Sequence, residues 1–161
     1  MTNGAPIVLQ ASAVAIEGRA LLLFGPPGAG KSSLALALIE RGAGLIGDDA
    51  VTLTPDGGRL VASPPPNIAG LIEVRGVGLV RLPTAAPTPV ALALELGAGP
   101  VERLPGALPR RDIAGIAVPV LAFDPGTIAP AARAHWALRQ HGLASDQASL
   151  CRTDRQNGPH D

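Results

Sequence analysis

Residues 25–32 read Gly25-Pro26-Pro27-Gly28-Ala29-Gly30-Lys31-Ser32 and satisfy the pattern G-x-x-x-x-G-K-[ST] at every fixed position. Glycines at these places let the backbone curl so that its N–H groups point inward at an anion. The amino end of a following helix adds a field that favours negative charge. Lys31 would reach the β- and γ-phosphates of a nucleotide, and the Ser32 hydroxyl would sit on Mg2+. The segment Gly25–Ser32, with Ser33 beside it, therefore predicts binding of a nucleoside triphosphate.

Asp48 and Asp49 close the next apolar run, "GLIGDD". In proteins with such a loop, a neighbouring strand delivers an acid towards Mg2+ or towards the attacking nucleophile. An adjacent pair allows two roles. One carboxylate can accept a hydroxyl proton while the other serves the metal shell directly or through water. Asp is also common in turns for purely local reasons, but behind a complete loop motif the functional reading is preferred. Glu73 and Arg75 stand two apart, on one face of the same strand. Spacing alone makes them a surface charge pair of little energetic value.

The elements that must position these groups can be read from apolar periodicity. Ser12 to Ile16 and Leu21 to Phe24 form a β-hairpin turned at Gly18, and its second strand feeds the loop. Residues 31–41 predict a helix stopped by Gly42, with Leu34, Leu38 and Ile39 turned to the strands and Leu36 beside them. "AVTLTPDGGRLVAS" predicts a second hairpin turned at Asp56-Gly57-Gly58. "LIEVRGVGLVRLP" reads as a bent strand or a strand pair with its turn at Gly76–Gly78. Residues 90–96 suit a strand, with a helix as the competing reading because Ala and Leu favour it. "GIAVPVLAF" is a further strand that Pro119 pushes towards an edge or a bulge. Residues 129–141 form the second helix. Hairpins on both sides of the loop and helix predict an α/β fold with a mixed β-sheet and few helices, not a steady strand–helix alternation.

Composition bounds the rest. The 161 residues suffice for one domain, expected over residues 1–145 with a polar, disordered tail over 146–161. Formal net charge is zero, aromatics are 2%, and there is no Lys/Arg run, which argues against a nucleic-acid partner. Cys151 is the only cysteine, so no intrachain disulfide can form, as in a reducing compartment. No apolar stretch reaches membrane-spanning length, and the N-terminus lacks a basic signal region. A cytoplasmic protein without membrane contact is expected. His135 and His141 are six apart and do not share a helix face, so they are read as surface histidines. Arg110-Arg111-Asp112 reads as a solvated loop, and Trp136 as helix packing.

The hairpin, "GPPGAGKSSLALALIERGA", "LIGDDAV" and "LIEVRGVGLVRL" together resemble the C-terminal kinase domain of HPr kinase/phosphorylase, in its short single-domain form. "EVRGVG" is the specific part, since that family carries a Glu-Ile-Arg-Gly signature at this place. The resemblance covers roughly residues 10–125. It implies a P-loop domain akin to phosphoenolpyruvate carboxykinase, using ATP and Mg2+ to phosphorylate a serine of an HPr-type phosphocarrier of the phosphotransferase system. It implies Asp48 as general base, Asp49 and Glu73 as support for Mg2+, and Glu73, Arg75 and Gly76 as the signature strand. A homo-oligomer, a hexamer, is implied as well. Three departures accompany the resemblance. Gln10 stands near the family's histidine, Ala50 follows the Asp pair in place of a basic residue, and residues 118–126 lack the arginines of the long form's "PVRPGRN" segment. Kinase activity with weak or absent phosphorylase activity is the resulting expectation. The alternative is a non-catalytic ATP-sensing module that binds a signalling partner.

Overall fold

The computed structural model describes residues 4–144. In chain order it contains β1 (Ile7–Leu9), β2 (Ser12–Ile16), β3 (Arg19–Phe24), α1 (Lys31–Glu40), β4 (Gly44–Gly47), β5 (Val51–Asp56) and β6 (Arg59–Ser63). There follow β7 (Leu71–Val74), β8 (Gly78–Arg81), β9 (Thr88–Leu96), β10 (Arg110–Ile113), β11 (Ile116–Phe123) and α2 (Pro130–His141). Nine strands make one mixed sheet in the order β1-β5-β6-β9-β3-β2-β4, with β11 also on β9 and β10 on β11; β7 and β8 pair separately. β3, β9 and β11 run parallel, and the hairpins are antiparallel.

"RALLLF" is almost wholly apolar because β3 is covered on both faces. Leu21 and Leu23 point into a core shared with Leu34, Leu38, Ala134 and Leu138 of the two helices. Ala20, Leu22 and Phe24 point into a second core with Val51, Leu53 and Leu60, contributed by the hairpin of the curled sheet. The competing helical reading of residues 90–96 fails for the same reason. β9 lies between β3 and β11 with every residue from Val90 to Leu94 buried, and pairing on both sides overrides the helix preference of Ala and Leu. Pro119 lies opposite Arg110 in the β10 pair, just before the β9 ladder begins at Val120, so its missing N–H interrupts no central pairing.

Two strands were not legible beforehand. β1 is a short strand laid on β5. β10 corrects the reading of Arg110-Arg111-Asp112 as a solvated loop. Its partner β11 supplies the ladder, and three exposed charged residues carry no strand pattern of their own. Arg111 lies 3.2 Å from the Glu95 carboxylate and 4.8 Å over the Phe24 ring, at the end of the strand that precedes the loop. Trp136 also departs from expectation. It is 63% exposed under Arg139, because α2 buries Ala131, Ala134, Ala137 and Leu138 on its other side. The expected tail over 146–161 and Cys151 lie outside the described residues. Among those described, no helix is long and apolar enough to cross a membrane.

The β2–β3 turn is tied to α2 through Glu17, which accepts from Arg139 at 2.7 Å and faces His135 at 3.5 Å. The Arg139 hydrogen bond holds the Glu17 carboxyl below its ordinary value. A depressed carboxyl adds stability above its unfolded pKa and loses it as the pH falls through the folded one. Thermal melts of Glu17→Gln should therefore lie slightly below the parent near neutral pH. They should converge with it in acid, and the gap is small because the pair is exposed.

Candidate functional site

Gly25 begins the loop where β3 meets the end of β9. A Cβ there would stand 2.6 Å from the Leu96 carbonyl oxygen, and its φ is 150°, so glycine is required by both space and conformation. The loop then rises over Ala29 to Gly30, which caps α1 at φ 100° without any side-chain hydrogen bond. The N–H groups of the first helical turn have no intrahelical partner, and no side chain takes their place. Lys31, Ser32 and Ser33 of that turn line the cleft above the loop. Lys31 lies folded over its own loop, donating to the Gly25 carbonyl and, at 3.3 Å, to that of Pro26.

Opposite the loop stands Asp48, at the sharp turn that follows β4. Its Oδ1 accepts from the Ser32 hydroxyl at 2.7 Å and the Ser12 hydroxyl at 2.9 Å, and its Oδ2 from the Glu73 N–H at 3.1 Å. One carboxylate thus joins the start of β2, the first turn of α1 and β7. Asp49 follows at φ 64°, a left-handed conformation that Asp tolerates better than most residues, and its N–H lies 3.5 Å from Ser12 Oγ. The reversal that separates the two side chains depends on Gly47, whose added Cβ would come within 2.1 Å of the Ala50 carbonyl.

An open cavity of about 300 Å³ lies between these elements. Pro26, Pro27, Gly28, Gly30, Lys31, Ser32 and Ser33 form one wall, and Asp48, Asp49, Glu73, Arg75 and Gln10 the other. The two groups named from separate stretches of sequence, loop and carboxylates, are therefore brought together, and Glu73 and Arg75 join them. Gly25, Ala29 and Gly76 are not among the lining residues, and Gly76, at φ 79°, lies in the turn between β7 and β8. Among the described residues no cluster of three or more His, Cys, Asp or Glu side chains forms a ready metal cage.

Two contributors were missed in sequence. Ser12 is a fully buried hydroxyl in an apolar strand, and its only signal was that polarity. Arg133 of α2 donates to the carbonyls of Asp124 at 2.9 Å, Ile128 at 2.8 Å and Pro125. It also stacks 5.0 Å from the Phe123 ring. Pro125 in turn lies beside the loop, 3.6 Å from where a Gly30 Cβ would stand. Arg133 thus holds the segment that backs the loop. Arg133→Ala should weaken nucleotide binding about 5-fold by calorimetric titration, the equivalent of about one net hydrogen bond at this exposed place.

The HPr Serine kinase C-terminal domain model matches residues 5–85, half of the chain. The HPr kinase/phosphorylase of Clostridium tetani is 42% identical over 71 residues, which cover 44% of this chain and 23% of the relative. That of Burkholderia cenocepacia is 47% identical over 70 residues, covering 43% and 22%. The chain thus spans less than a quarter of the length of the curated relatives it matches. The structure of the Hpr(Ser) kinase/phosphatase from Coxiella burnetii superposes with a TM-score of 0.73 at 27% identity. It covers 84% of this chain and 95% of that one.

Proposed function

Because this chain belongs to the family of HPr serine kinase C-terminal domains, we propose that it transfers the γ-phosphoryl group of ATP to a serine of an HPr-type phosphocarrier. The observation that carries the reading is Asp48, a carboxylate held against Ser32 at 2.7 Å in a cleft lined by the loop and the first turn of α1. Loop 25–32 is read as a P-loop, in a domain akin to phosphoenolpyruvate carboxykinase.

The loop amides and Lys31 hold the triphosphate, Lys31 exchanging its loop carbonyls for phosphate oxygens. Mg2+ keeps several waters and needs only one or two carboxylates besides substrate phosphates, which suits a site with Ser32, Asp49 and Glu73 but no cage. An ion held by these residues would neutralise charge on the β- and γ-phosphates. Asp48 accepts three hydrogen bonds, and a carboxylate offers about four acceptor positions, so Oδ2 retains one for the substrate hydroxyl. The serine proton passes to Asp48, the serine oxygen bonds to the γ-phosphorus, and the bond to the ADP oxygen breaks. Gln10 at the cavity wall cannot titrate, segment 118–126 itself carries no arginine, and Arg133, which reaches that segment, is engaged with its Asp124 and Pro125 carbonyls. Transfer is therefore proposed to run mainly towards phosphorylation. The protein is read as a cytoplasmic homo-oligomer, a hexamer, without nucleic-acid or membrane partners.

Incubation with labelled ATP, Mg2+ and the HPr-type phosphocarrier of the same organism should place label on a serine of the carrier. Single-turnover mixing in which ATP binds but no label moves would overturn the kinase reading and leave the ATP-sensing module.

A further inference from the structure

β7 and β8 form a hairpin with two unlike faces. Ile72 is fully buried, and Val74 and Val80 pack against the helix-side core. The opposite face carries Glu73 directly across from Leu79, and Leu71 across from Arg81. Leu79 is 72% exposed and Val77, at the tip, 75% exposed. Glu73 and Arg75 of this hairpin line the cavity. The apolar pair thus continues the cavity wall outward, within one strand's width of the acid. Among the described residues neither Arg75 nor Arg81 takes part in an ion pair.

Resting on the kinase reading above, we propose that the outer face of the β7–β8 hairpin, Val77 and Leu79 with Arg75 and Arg81, is the docking surface for the acceptor protein. A cavity of about 300 Å³ is at the small end for ligand sites and leaves little room beyond a phosphate chain and one hydroxyl. Affinity and choice of acceptor must therefore come from surface outside the cavity. This face is continuous with it, so a protein presenting a serine to Asp48 covers Leu79. Exposed aliphatic side chains ringed by unpaired cations select an apolar patch with acidic neighbours beside that serine. Glu73 reaches the cavity while Leu79 meets the partner, which couples docking to the metal-supporting acid through a single pair of cross-strand neighbours.

The test uses the full chain and the HPr-type phosphocarrier. Val77→Ser/Leu79→Ser should raise KM for the carrier roughly 10- to 30-fold, an effect reaching the threshold of an interface hot spot. It should leave ATP affinity unchanged and kcat at saturating carrier within about 2-fold, because neither residue lines the cavity. Arg81→Glu should raise KM too and flatten its dependence on salt. Carrier binding measured by calorimetry with a non-hydrolysable ATP analogue should fall in parallel. Unchanged KM and unchanged binding in both variants would overturn the proposal. So would a change confined to sedimentation, which would assign the face to a second copy of the chain. If the parent protein transfers no phosphate yet binds the carrier through Leu79, the kinase reading fails and the docking surface stands. If it binds no carrier at all, the docking surface fails.

Discussion

Asp48→Asn is expected to lower phosphoryl transfer about 10²- to 10⁴-fold, the usual contribution of a positioned general base. The fold should survive. Asn matches Asp in shape, and its carbonyl can still face the Glu73 N–H while its amide donates to the Ser12 and Ser32 oxygens, which can rotate to accept. Exchanging those bonds costs about 1 kcal/mol, or about 2–4 °C in Tm for a chain of this size. Nucleotide affinity should change only a few-fold, because the loop amides and Lys31 are untouched. Single-turnover transfer, thermal melting and calorimetry on the same preparation separate these effects. Asp49→Asn should be less damaging at saturating Mg2+ and should instead raise the Mg2+ needed for half-maximal rate. Retention of more than a tenth of the rate by Asp48→Asn would remove the base from Asp48.

What the sequence made legible and what it hid divide along a physical line. The loop, the hairpins and α1 are local. Their glycines, apolar alternation and the Gly42 stop act within a few residues, and each appears where periodicity put it. From spacing alone the signature strand was legible only as a charge pair, and it took the resemblance carried by "EVRGVG" to place it at the site, because nothing in the spacing of Glu73 and Arg75 says that β7 packs beside the Asp48 turn. That neighbourhood comes from the Glu73 N–H donating to a carboxylate 25 residues away. β1 and β10 were hidden for a related reason, since short edge strands owe their pairing to partners distant in sequence. Arg133 and Ser12 were hidden because their work is done on backbone carbonyls and on a carboxylate, partners that leave no mark on the identity of adjacent residues. Trp136 shows the converse error. An apolar type suggested packing, whereas α2 fills its inner face with alanines and one leucine and leaves the ring outside.

Gly47→Ala is expected to damage both stability and transfer, and it tests the turn rather than the chemistry. The added methyl would lie 2.1 Å from the Ala50 carbonyl oxygen and 3.3 Å from Pro65 Cδ. The nearer atom is backbone, so no side chain can swing aside, and the turn carrying Asp48 and Asp49 must move as a unit. Overpacking of this kind costs about 1–3 kcal/mol, which at this chain length lowers Tm by about 3–10 °C. The catalytic loss should be larger than that figure suggests. Asp48 bridges three elements through bonds of 2.7, 2.9 and 3.1 Å, and a shift large enough to accommodate the methyl breaks that geometry. Misplacement by about 1 Å costs about 10²-fold in rate. Gly106→Ala is the control, since a Cβ there meets nothing within 4 Å and no left-handed φ is involved; it should match the parent in Tm and rate. Measured below the Tm of both variants, transfer by Gly47→Ala should fall about a hundredfold while its circular dichroism remains that of the parent. A Gly47→Ala protein with parental rate would mean that the Asp pair does not depend on this close approach, and the placement of Asp48 against Ser32 would need another cause.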